Sequence, residues 1–448
     1  MNVLMMTNTY LPHVGGVAQS VHRFAEAYRR KGHRVLVVAP EFPGREGQGH
    51  EPHVVRVPAI QRFNGSDFSV RLPVPGLVSD AADRFEPDIV HTHHPFLLGD
   101  TALRLAQWRA LPLVFTHHTL YERYTHYVPA DSPAMRRFAV GLATEFANLC
   151  DHVIAPSRTI ADLLRDRGVH APLSVVPTGV DADAYRAGDR RRGRRALGLD
   201  DDAMVIGHVG RLAAEKNLGF LTDAVARAMV DRPGVHWLVV GDGPFAKAID
   251  SALKAEAGLR DRLHMPGRIT GDSLIDAYHA MDLFAFASTS ETQGMVVAEA
   301  MAAGLPVVAL DAPGVREVVE DRVNGRLLDE EKPDRFADAL REVIDLGPDQ
   351  RAALREGARR TAEAFSTDAT AEKALTVYDQ AWERADRLDA DASGALERLR
   401  GMIELEWDLW SRRAGAAADA IRGRGAAPTN PDDPDDPDEA DDDEPTEG

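Results

Sequence analysis

The stretch LFAFASTSETQGMVVAEAM, residues 283–301, decides the fold of this chain. Its first five residues are all apolar, which is typical of a strand buried on both faces of a parallel sheet. A polar turn follows, and from about Gly294 the segment becomes an amphipathic helix. A buried strand that continues through a turn into a helix is one unit of a doubly wound α/β sheet.

The same alternation extends in both directions from this stretch. The second half of the chain has predicted strands at 205–209, 237–240, 263–265, 283–287 and 307–310. The first half has predicted strands at 3–7, 34–39, 54–57, 88–92, 113–116, 152–155 and 173–176, with helices between them, for example at 17–30 and 134–149. We therefore predict an α/β protein with two Rossmann-like, doubly wound domains that face each other across a cleft.

The domain boundaries follow from changes in composition along the chain. We expect a first domain at 1–185, a second at 186–368, and C-terminal helices at 369–424, the first of which returns to the N-terminal domain. Residues 181–198, which include the run RRRGRR, are predicted to form a polar connector. The tail at 425–448 has eleven acidic residues and no basic ones, so we expect it to be disordered.

Charge and cysteine content exclude several classes of protein. The chain has 448 residues and a formal net charge of -19, of which the tail contributes eleven negative charges, leaving -8 for the rest. This balance lacks the basic footprint of a nucleic-acid-binding protein, so no nucleic acid partner is expected. Cys150 is the single cysteine, and the sequence has neither a long apolar run nor a signal peptide. These features predict a cytoplasmic protein.

The turn and helix within 283–301 contain two carboxylates eight positions apart. A helix that begins near Gly294 and Met295 has free N–H groups and a partial positive charge, which suit a phosphate. Glu291 lies in the turn, and Glu299 is placed to accept hydrogen bonds from neutral hydroxyls such as those of a ribose. The alternative interpretation is a helix-capping arrangement with Ser or Thr before the helix.

A second candidate site segment is GHVGRLAAEKN at 207–217, directly after the strand at 205–209. Arg211 and Lys216 lie in its loop, at the carboxyl end of the strand, where open α/β sheets bind ligands. A guanidinium fork and an ammonium group together suit a diphosphate. The alternative is that both are ordinary solvated surface cations.

Taken together, these segments resemble the retaining nucleotide-sugar glycosyltransferases of family 4, group 1, which have the two-domain GT-B fold. The resemblance consists of the E-x7-E pair Glu291 and Glu299, the G-R-L-x-x-E-K-N at 210–217, the G-D-G-P beginning at Gly241, the Gly-Gly ending at Gly16, and P-T-G-V-D at 177–181. These motifs occur in the family's order over roughly residues 1–385.

The resemblance implies a role for each matching residue. Arg211 and Lys216 would hold the donor diphosphate, and Gly16 would let the N-terminal loop approach it. Glu291 would contact the transferred sugar, while Glu299 would contact the ribose. The N–H groups near Gly294 and Met295 and the turn at Gly241 complete the donor site. A histidine beside the sugar is also implied, and the His-Thr ending of the family pattern selects His118 over His117.

The family further implies retention of anomeric configuration, a nucleotide sugar such as a UDP- or GDP-hexose as donor, and no metal or other cofactor. The first domain would then be the acceptor side and the second the donor side. A histidine-bound metal is the competing hypothesis, because His91, His93, His94, His117 and His118 follow two neighbouring strands. The D-x-D at 181–183 could also suggest a metal, although helix capping is the preferred interpretation.

The segments 93–99 and 116–129 look like the corresponding loops of diacylglycerol glucosyltransferases, and E-T-Q-G at 291–294 is frequent in that branch. This resemblance makes a glycerolipid the leading acceptor, with Tyr121 and Tyr124 as acceptor residues and peripheral contact with the inner membrane face. Basic candidates for that contact are Arg136, Arg137 and the run at 190–195. The alternatives are a soluble or lipid-carrier oligosaccharide acceptor, or an inactive glycan- or nucleotide-binding protein.

Overall fold

The computed structural model describes residues 1–13, 15–41, 51–60, 70–71, 76–120, 133–256, 258–289 and 291–391. Within these residues the chain forms two parallel sheets of Rossmann type, each covered by helices, so the predicted fold class is confirmed. The predicted tail and the predicted helices beyond residue 391 lie outside the described residues. No helix in the described ranges is both long enough and apolar enough to span a bilayer.

The first sheet belongs to the N-terminal half and has the strand order β3-β2-β1-β6-β7-β8-β9, all parallel. The strands of this half are β1 (Asn2–Met6), β2 (Arg34–Pro40), β3 (Val54–Val57), β4 (Ala59–Ile60), β5 (Val70–Arg71), β6 (Ile89–Thr92), β7 (Leu113–Thr116), β8 (His152–Ala155) and β9 (Leu173–Val175). Its helices are α1 (Gly16–Arg30), α2 (Leu77–Phe85), α3 (Leu98–Arg109), α4 (Pro133–Asn148) and α5 (Arg158–Asp166). Strands β4 and β5 form a separate antiparallel pair.

The second sheet has the order β12-β11-β10-β13-β14-β15, and its strands are also parallel. Its strands are β10 (Met204–Val209), β11 (Val235–Val240), β12 (Leu263–Gly267), β13 (Leu283–Phe286), β14 (Val307–Leu310) and β15 (Gly325–Leu328). The helices of this half are α6 (Ala182–Arg186), α7 (Arg190–Leu197), α8 (Leu218–Met229), α9 (Ala246–Ala255), α10 (Asp272–Ala280), α11 (Met295–Ala302), α12 (Pro333–Ile344), α13 (Pro348–Ala364) and α14 (Thr367–Asp391).

The twelve predicted strands are all present, with bounds shifted by at most two residues. The apolar runs predict them well because a strand covered on both faces needs apolar residues at nearly every position. Strand β15 was not predicted, since its sequence GRLL has only two apolar residues and lies at a sheet edge.

The polar connector predicted at 181–198 lies between the last strand of the first sheet and the first strand of the second, and it folds into α6 and α7. The Asp189 side chain accepts hydrogen bonds from the first turn of α7, at Arg191 N (2.8 Å) and Arg192 N (3.0 Å). Arg194 is buried and pairs with Asp282 at 2.9 Å. Partners far along the chain therefore fold an arginine-rich segment that looks solvated in the sequence.

The last described helix, α14, packs against the N-terminal half and not against the half that precedes it. Its apolar face, including Ala374 and Tyr378, lies in one buried cluster with Val3, Met5 and Val21. The Tyr378 hydroxyl is 2.6 Å from His91 Nδ1 on β6.

The chain crosses between the halves twice, and the two crossings pair with each other. Val180 N donates to Phe365 O, and Thr367 N donates to Val180 O, both at 2.9 Å. A Cβ atom at Gly179 would lie 2.3 Å from Thr367 Cα, so only glycine allows this approach. The crossings thus form a closely packed junction between the two sheets.

Candidate active site

Loops at the carboxyl edge of the second sheet bring the two predicted motifs together. Lys216 lies in a short 3-10 turn after β10, and its Nζ pairs with Oε1 of Glu291 in the loop after β13. Both side chains are mostly buried, with exposed fractions of 23% and 18%. Arg211 lies on the same loop as Lys216 and pairs with Glu215 at a half-exposed position. The structure therefore places a partly buried cation next to the carboxylate expected to face the sugar.

The turn after β11 packs directly on the loop after β10. Gly241 has φ +147°, and a Cβ atom there would lie 1.8 Å from Gly210 O. Any side chain would push the two loops apart, so the glycine is required for the loops to share one edge. Gly241 therefore helps to fix the position of the loop that carries Arg211.

Helix α11 begins at Met295, and its N-terminus opens beside Glu291. Gly294 precedes the helix in a left-handed conformation (φ +67°, ψ +48°), and no side chain caps the first turn. The capping interpretation of this stretch is therefore wrong, because the position that would cap is a glycine. The first N–H groups of α11 keep the partial positive charge that favours an anion.

The residue before this glycine, Gln293, connects the donor loop to the first chain crossing. Its Oε1 accepts from Thr178 N at 2.7 Å, and its Nε2 donates to Thr178 O at 2.6 Å. The Thr178 hydroxyl in turn is 2.9 Å from Ser20 Oγ on α1. The glutamine of E-T-Q-G thus has a structural role, since it hydrogen-bonds the backbone of the crossing.

Glu299 is held from both sides. Arg23 of α1 donates from Nη2 to Oε1 of Glu299 at 2.6 Å, and the Tyr278 hydroxyl donates to Oε2 at 3.1 Å. The carboxylate is largely buried. Helix α11 therefore presents Glu299 to a residue of the N-terminal half as well as to its own half.

The carboxyl edge of the first sheet carries the histidines. His118 follows β7, is half-buried, and its Nε2 is 2.9 Å from Nδ1 of the fully buried His93. The His93 ring also lies beside that of His91, with ring centroids 4.1 Å apart and the ring planes tilted by 41°. His91 is used structurally, because its Nε2 is 2.7 Å from Thr116 Oγ1 and its Nδ1 contacts Tyr378.

The other two histidines of the group have different surroundings. His94 Nδ1 accepts a hydrogen bond from Asn8 N at 3.1 Å, which connects the loops after β1 and β6. His117 is buried with its ring edge-on to Phe115. Of the two candidates after β7, His118 is the more accessible and His117 belongs to the packed interior.

Burial makes this group of histidines neutral at physiological pH. Desolvation lowers the pKa of His118 to about 3. The same cause, with smaller contributions from neighbouring charges, lowers the pKa of His91, His94 and His117 to about 3 and that of His93 well below its usual value. His118 can therefore donate or accept a hydrogen bond, but it carries no charge.

The remaining predicted positions are placed as follows. Gly16 is the first residue of α1, and a Cβ atom there would meet no heavy atom within 4 Å, so the loop end faces open space. Tyr121 and Tyr124 lie outside the described residues.

His208 at the end of β10 was not predicted as a site residue. Its Nδ1 donates to Ala285 O at 3.1 Å, and burial lowers its pKa to about 4.

The described part of the chain contains no group of three or more histidine, cysteine or acidic side chains arranged to hold a metal ion. The D-x-D segment caps a helix, since Asp181 Oδ1 accepts from Ala184 N at 3.0 Å, which confirms the preferred interpretation. His91, His93, His94 and His118 make the hydrogen bonds described above, and His117 packs against Phe115.

Three contacts between distant parts of the chain, two of them between the halves, had no signal in the sequence strong enough to find them. These are Arg23 with Glu299, Ser20 with Thr178, and the Glu317 carboxylate, which accepts from Arg158 N (2.7 Å) and Thr159 N (2.9 Å) at the start of α5. Each joins residues more than 150 positions apart. Local patterns carry no information about such pairs.

Comparison with known proteins agrees with this architecture. Residues 14–184 match the model of Glycosyltransferase Family 4, and residues 189–361 match that of Glycosyl transferases group 1. The chain is 29% identical to an alpha-monoglucosyldiacylglycerol synthase of Streptococcus pneumoniae, covering 78% of this chain and 79% of that protein. It is 32% identical to a GDP-mannose-dependent alpha-mannosyltransferase of Mycobacterium tuberculosis, covering 73% and 83%.

Among solved structures, Anabaena HepE in complex with UDP superposes with a TM-score of 0.67, at 24% identity, over 85% of this chain and 100% of that one. This likeness shows the fold, two Rossmann-type domains of the GT-B class. The two matched family models together span both halves of the site in the expected order. The chain belongs to the family 4, group 1 glycosyltransferases of GT-B fold and is a hexosyltransferase.

Proposed function

We propose that this enzyme transfers a hexose from a UDP- or GDP-hexose to a glycerolipid, with retention at the anomeric carbon. The observation that carries the donor assignment is the Lys216–Glu291 pair beside the uncapped start of α11. The cation and the free helix N–H groups suit the phosphates of a nucleotide sugar. The carboxylate suits its sugar hydroxyls, from which it can accept hydrogen bonds.

On the donor side, Arg211 and Lys216 bind the diphosphate and stabilise the negative charge that develops as the sugar departs. The helix N-terminus at Gly294 and Met295 adds a fixed dipole to the same charge. Glu291 accepts hydrogen bonds from the sugar hydroxyls and Glu299 from the ribose. With these fixed charges in place, we propose that the reaction needs no metal ion.

On the sugar side, His118 hydrogen-bonds the transferred hexose as a neutral imidazole. A neutral ring is a poor acid and a poor covalent partner, and no Asp or Glu occurs within 116–119. We therefore propose departure and attack on the same face of the sugar. The glycosidic bond to phosphate breaks, the acceptor oxygen bonds to the anomeric carbon, and the leaving phosphate takes the acceptor's proton.

Support for a lipid acceptor comes from the synthase of Streptococcus pneumoniae among the relatives, whose name specifies a glucosyldiacylglycerol product. Tyr121 and Tyr124 remain the proposed acceptor residues. We propose peripheral contact with the inner membrane face through α4, which carries Arg136 and Arg137. The arginine run at 190–195 is less suited to that contact than it looks in the sequence.

In that run Arg194 is buried, and Arg190 and Arg192 pair with Asp282 and Asp276. The charge of these three arginines is therefore already matched by aspartates within the protein. We propose the N-terminal half for membrane contact because it is the side proposed to receive the acceptor.

The test is a matrix of donors and acceptors with purified full-length protein. UDP-glucose, UDP-galactose and GDP-mannose are each incubated with vesicles containing diacylglycerol, with a mannosylated glycolipid extract, and with soluble inositol phosphate. We expect transfer to diacylglycerol, with the product's anomeric linkage retained by NMR. Transfer only to a soluble or carrier-linked acceptor would move the proposal to the second acceptor class.

The same experiment tests the inactive-binder alternative. A catalytic protein should also hydrolyse its donor slowly when no acceptor is present. Absence of both transfer and hydrolysis with every donor, together with tight nucleotide binding, would identify a binding protein. An inverted product would contradict the proposed mechanism.

A further inference from the structure

Helix α1 of the N-terminal half contacts the donor helix α11 through Arg23. The guanidinium donates from Nη2 to Glu299 Oε1 at 2.6 Å and from Nη1 to Gly179 O at 3.0 Å. Only 16% of the Arg23 side chain and 10% of the Glu299 side chain are exposed. One arginine therefore joins α1, the chain crossing and α11.

The pair is a buried one, and removal of either partner leaves the other charge without compensation. Burial alone would lower the pKa of Arg23, but the adjacent Glu299 carboxylate raises it, so the Arg23 guanidinium stays charged. The Tyr278 hydroxyl holds the second carboxylate oxygen. The side chain of Glu299 is thus fixed in direction by groups from both halves.

A carboxylate has about four acceptor positions. Arg23 and Tyr278 use two of them, and the Tyr185 hydroxyl also interacts with the carboxylate. The remaining positions are those with which Glu299 would accept from vicinal hydroxyls of a ribose. Since Arg23 fixes the carboxylate, it fixes the direction of those positions as well. A glutamate freed from this contact could rotate and would lose part of its selectivity.

We propose that Arg23 is a positioning residue for ribose recognition, acting through Glu299 and coupling that recognition to the arrangement of the two halves. The inference rests on the proposed function, because it needs a nucleoside diphosphate in the donor site. Arg23 itself need not touch the nucleotide. It lies on the half opposite to the one proposed to bind the donor, so a separation of the halves would release Glu299.

The experiment is calorimetric titration of the full-length protein with UDP and 2′-deoxy-UDP, or with GDP and 2′-deoxy-GDP if GDP binds more tightly. Wild type should prefer the ribose form about tenfold, the effect of one or two hydrogen bonds to a charged group. Arg23→Met and Glu299→Gln should each reduce this preference to about threefold or less. Arg23→Lys, which keeps the charge, should retain more of it than Arg23→Met.

Arg30→Met is the matched control, because Arg30 lies on the same helix but makes an exposed pair with Asp368. It should keep the wild-type preference. In a Glu299→Gln background, Arg23→Met should have no further effect on the preference. If Arg23→Met melts before it can be titrated, Arg23→Gln, which also removes the charge, takes its place, and an unchanged preference in that variant contradicts the inference.

The outcomes separate the two proposals. Loss of preference in Glu299→Gln but not in the Arg23 variants overturns the positioning role alone. An unchanged preference in Glu299→Gln overturns ribose recognition through this pair. Failure of the wild type to bind either UDP or GDP overturns the proposed function itself.

Discussion

The two halves of the site lie at the carboxyl edges of similar parallel sheets, yet they use opposite chemistry. In the C-terminal half, the functional groups are ion pairs, Lys216 with Glu291 and Arg211 with Glu215. In the N-terminal half, the candidate groups are neutral histidines that bond to each other, such as the fully buried His93 and the half-buried His118. The difference shows that the fold supplies the location, while burial and partners decide whether a loop carries charge.

The largest expected effect comes from removing charge in the C-terminal half. Lys216→Met should lower kcat/KM by roughly 30- to 1,000-fold, about 2–4 kcal/mol of transition-state stabilisation, because a preorganised cation is lost. Arg211→Met should lower it within the same range. Steady-state kinetics with the preferred donor provides the measurement.

Lys254→Met is the matched control for these variants, since Lys254 is an exposed lysine paired with Asp250 on α9. Its kinetics should equal those of the wild type. Near-normal activity of both Lys216→Met and Arg211→Met with every accepted donor would refute the diphosphate assignment.

Removing His118 should distinguish the two halves of the site, because we expect it to lower turnover without weakening nucleotide binding. His118→Ala should lower kcat by roughly a hundredfold, the scale of losing one positioned donor in a catalytic site. The affinity for UDP or GDP should stay within about twofold, since we propose that the nucleotide binds in the other half. Calorimetry and initial rates test the two parts separately.

The exposed His170→Ala serves as the control and should behave as wild type. Unimpaired turnover of His118→Ala would exclude His118 and move attention to His117 or His94. A parallel loss of nucleotide affinity would indicate that the two halves share the nucleotide.

Acid should destabilise the N-terminal half through its histidines. The folded-state pKa of His118, about 3, is below the value of about 6.5 expected when unfolded, so between these values the unfolded chain binds the proton. This stability is complete above about pH 6.5 and declines toward pH 3, by roughly 1.4 kcal/mol per pH unit for each such histidine. The free energy of unfolding should therefore be lower at pH 5 than at pH 7, and this difference should be about 2 kcal/mol smaller in His118→Ala. Thermal melting at the two pH values provides the measurement.

In this melting series, His170→Ala should retain the wild-type pH dependence. Equal pH dependence in His118→Ala and wild type would mean that the pKa of this imidazole is the same in the folded protein as in the unfolded chain. The catalytic rate should not decline between pH 8 and pH 6 through protonation of His118, because its ring stays neutral throughout that range.

The smallest expected effect is that of a chelator. Activity should be unchanged in excess EDTA, because Arg211, Lys216 and the start of α11 are proposed to stabilise the diphosphate. The measurement is initial rate before and after dialysis against the chelator. Loss of activity that a divalent cation restores would revive the metal hypothesis for the histidines.

The sequence predicted the parts of this molecule that depend on local pattern. Apolar runs identify the strands, and the polar residues that follow them fall on the carboxyl edges, which is why Lys216 and Glu291 meet although they are 75 positions apart. The roles proposed for the site residues remain predictions. The sequence shows Gln293 as part of E-T-Q-G, but it does not show the two hydrogen bonds that Gln293 makes with Thr178.

What the sequence could not predict depends on distant partners. The arginine run at 190–195 folds into a helix because Asp276 and Asp282, some ninety positions later, match its charges. Arg23 looks like one more surface arginine until α11 is placed against α1. In both cases the stabilising free energy comes from ion pairs between residues that are far apart in the chain. A short segment of sequence does not contain both members of such a pair.

The return of α14 to the first sheet has a consequence for synthesis of the protein. The core around Val3 and Val21 is completed by Ala374, Val377 and Tyr378, which are made after every strand of the second sheet. During translation the second half has its whole sheet before the first half has its last covering helix. The part of the protein that emerges first from the ribosome is therefore the part that finishes folding last, and a chain stopped after residue 366 would leave its oldest half with an uncovered apolar face.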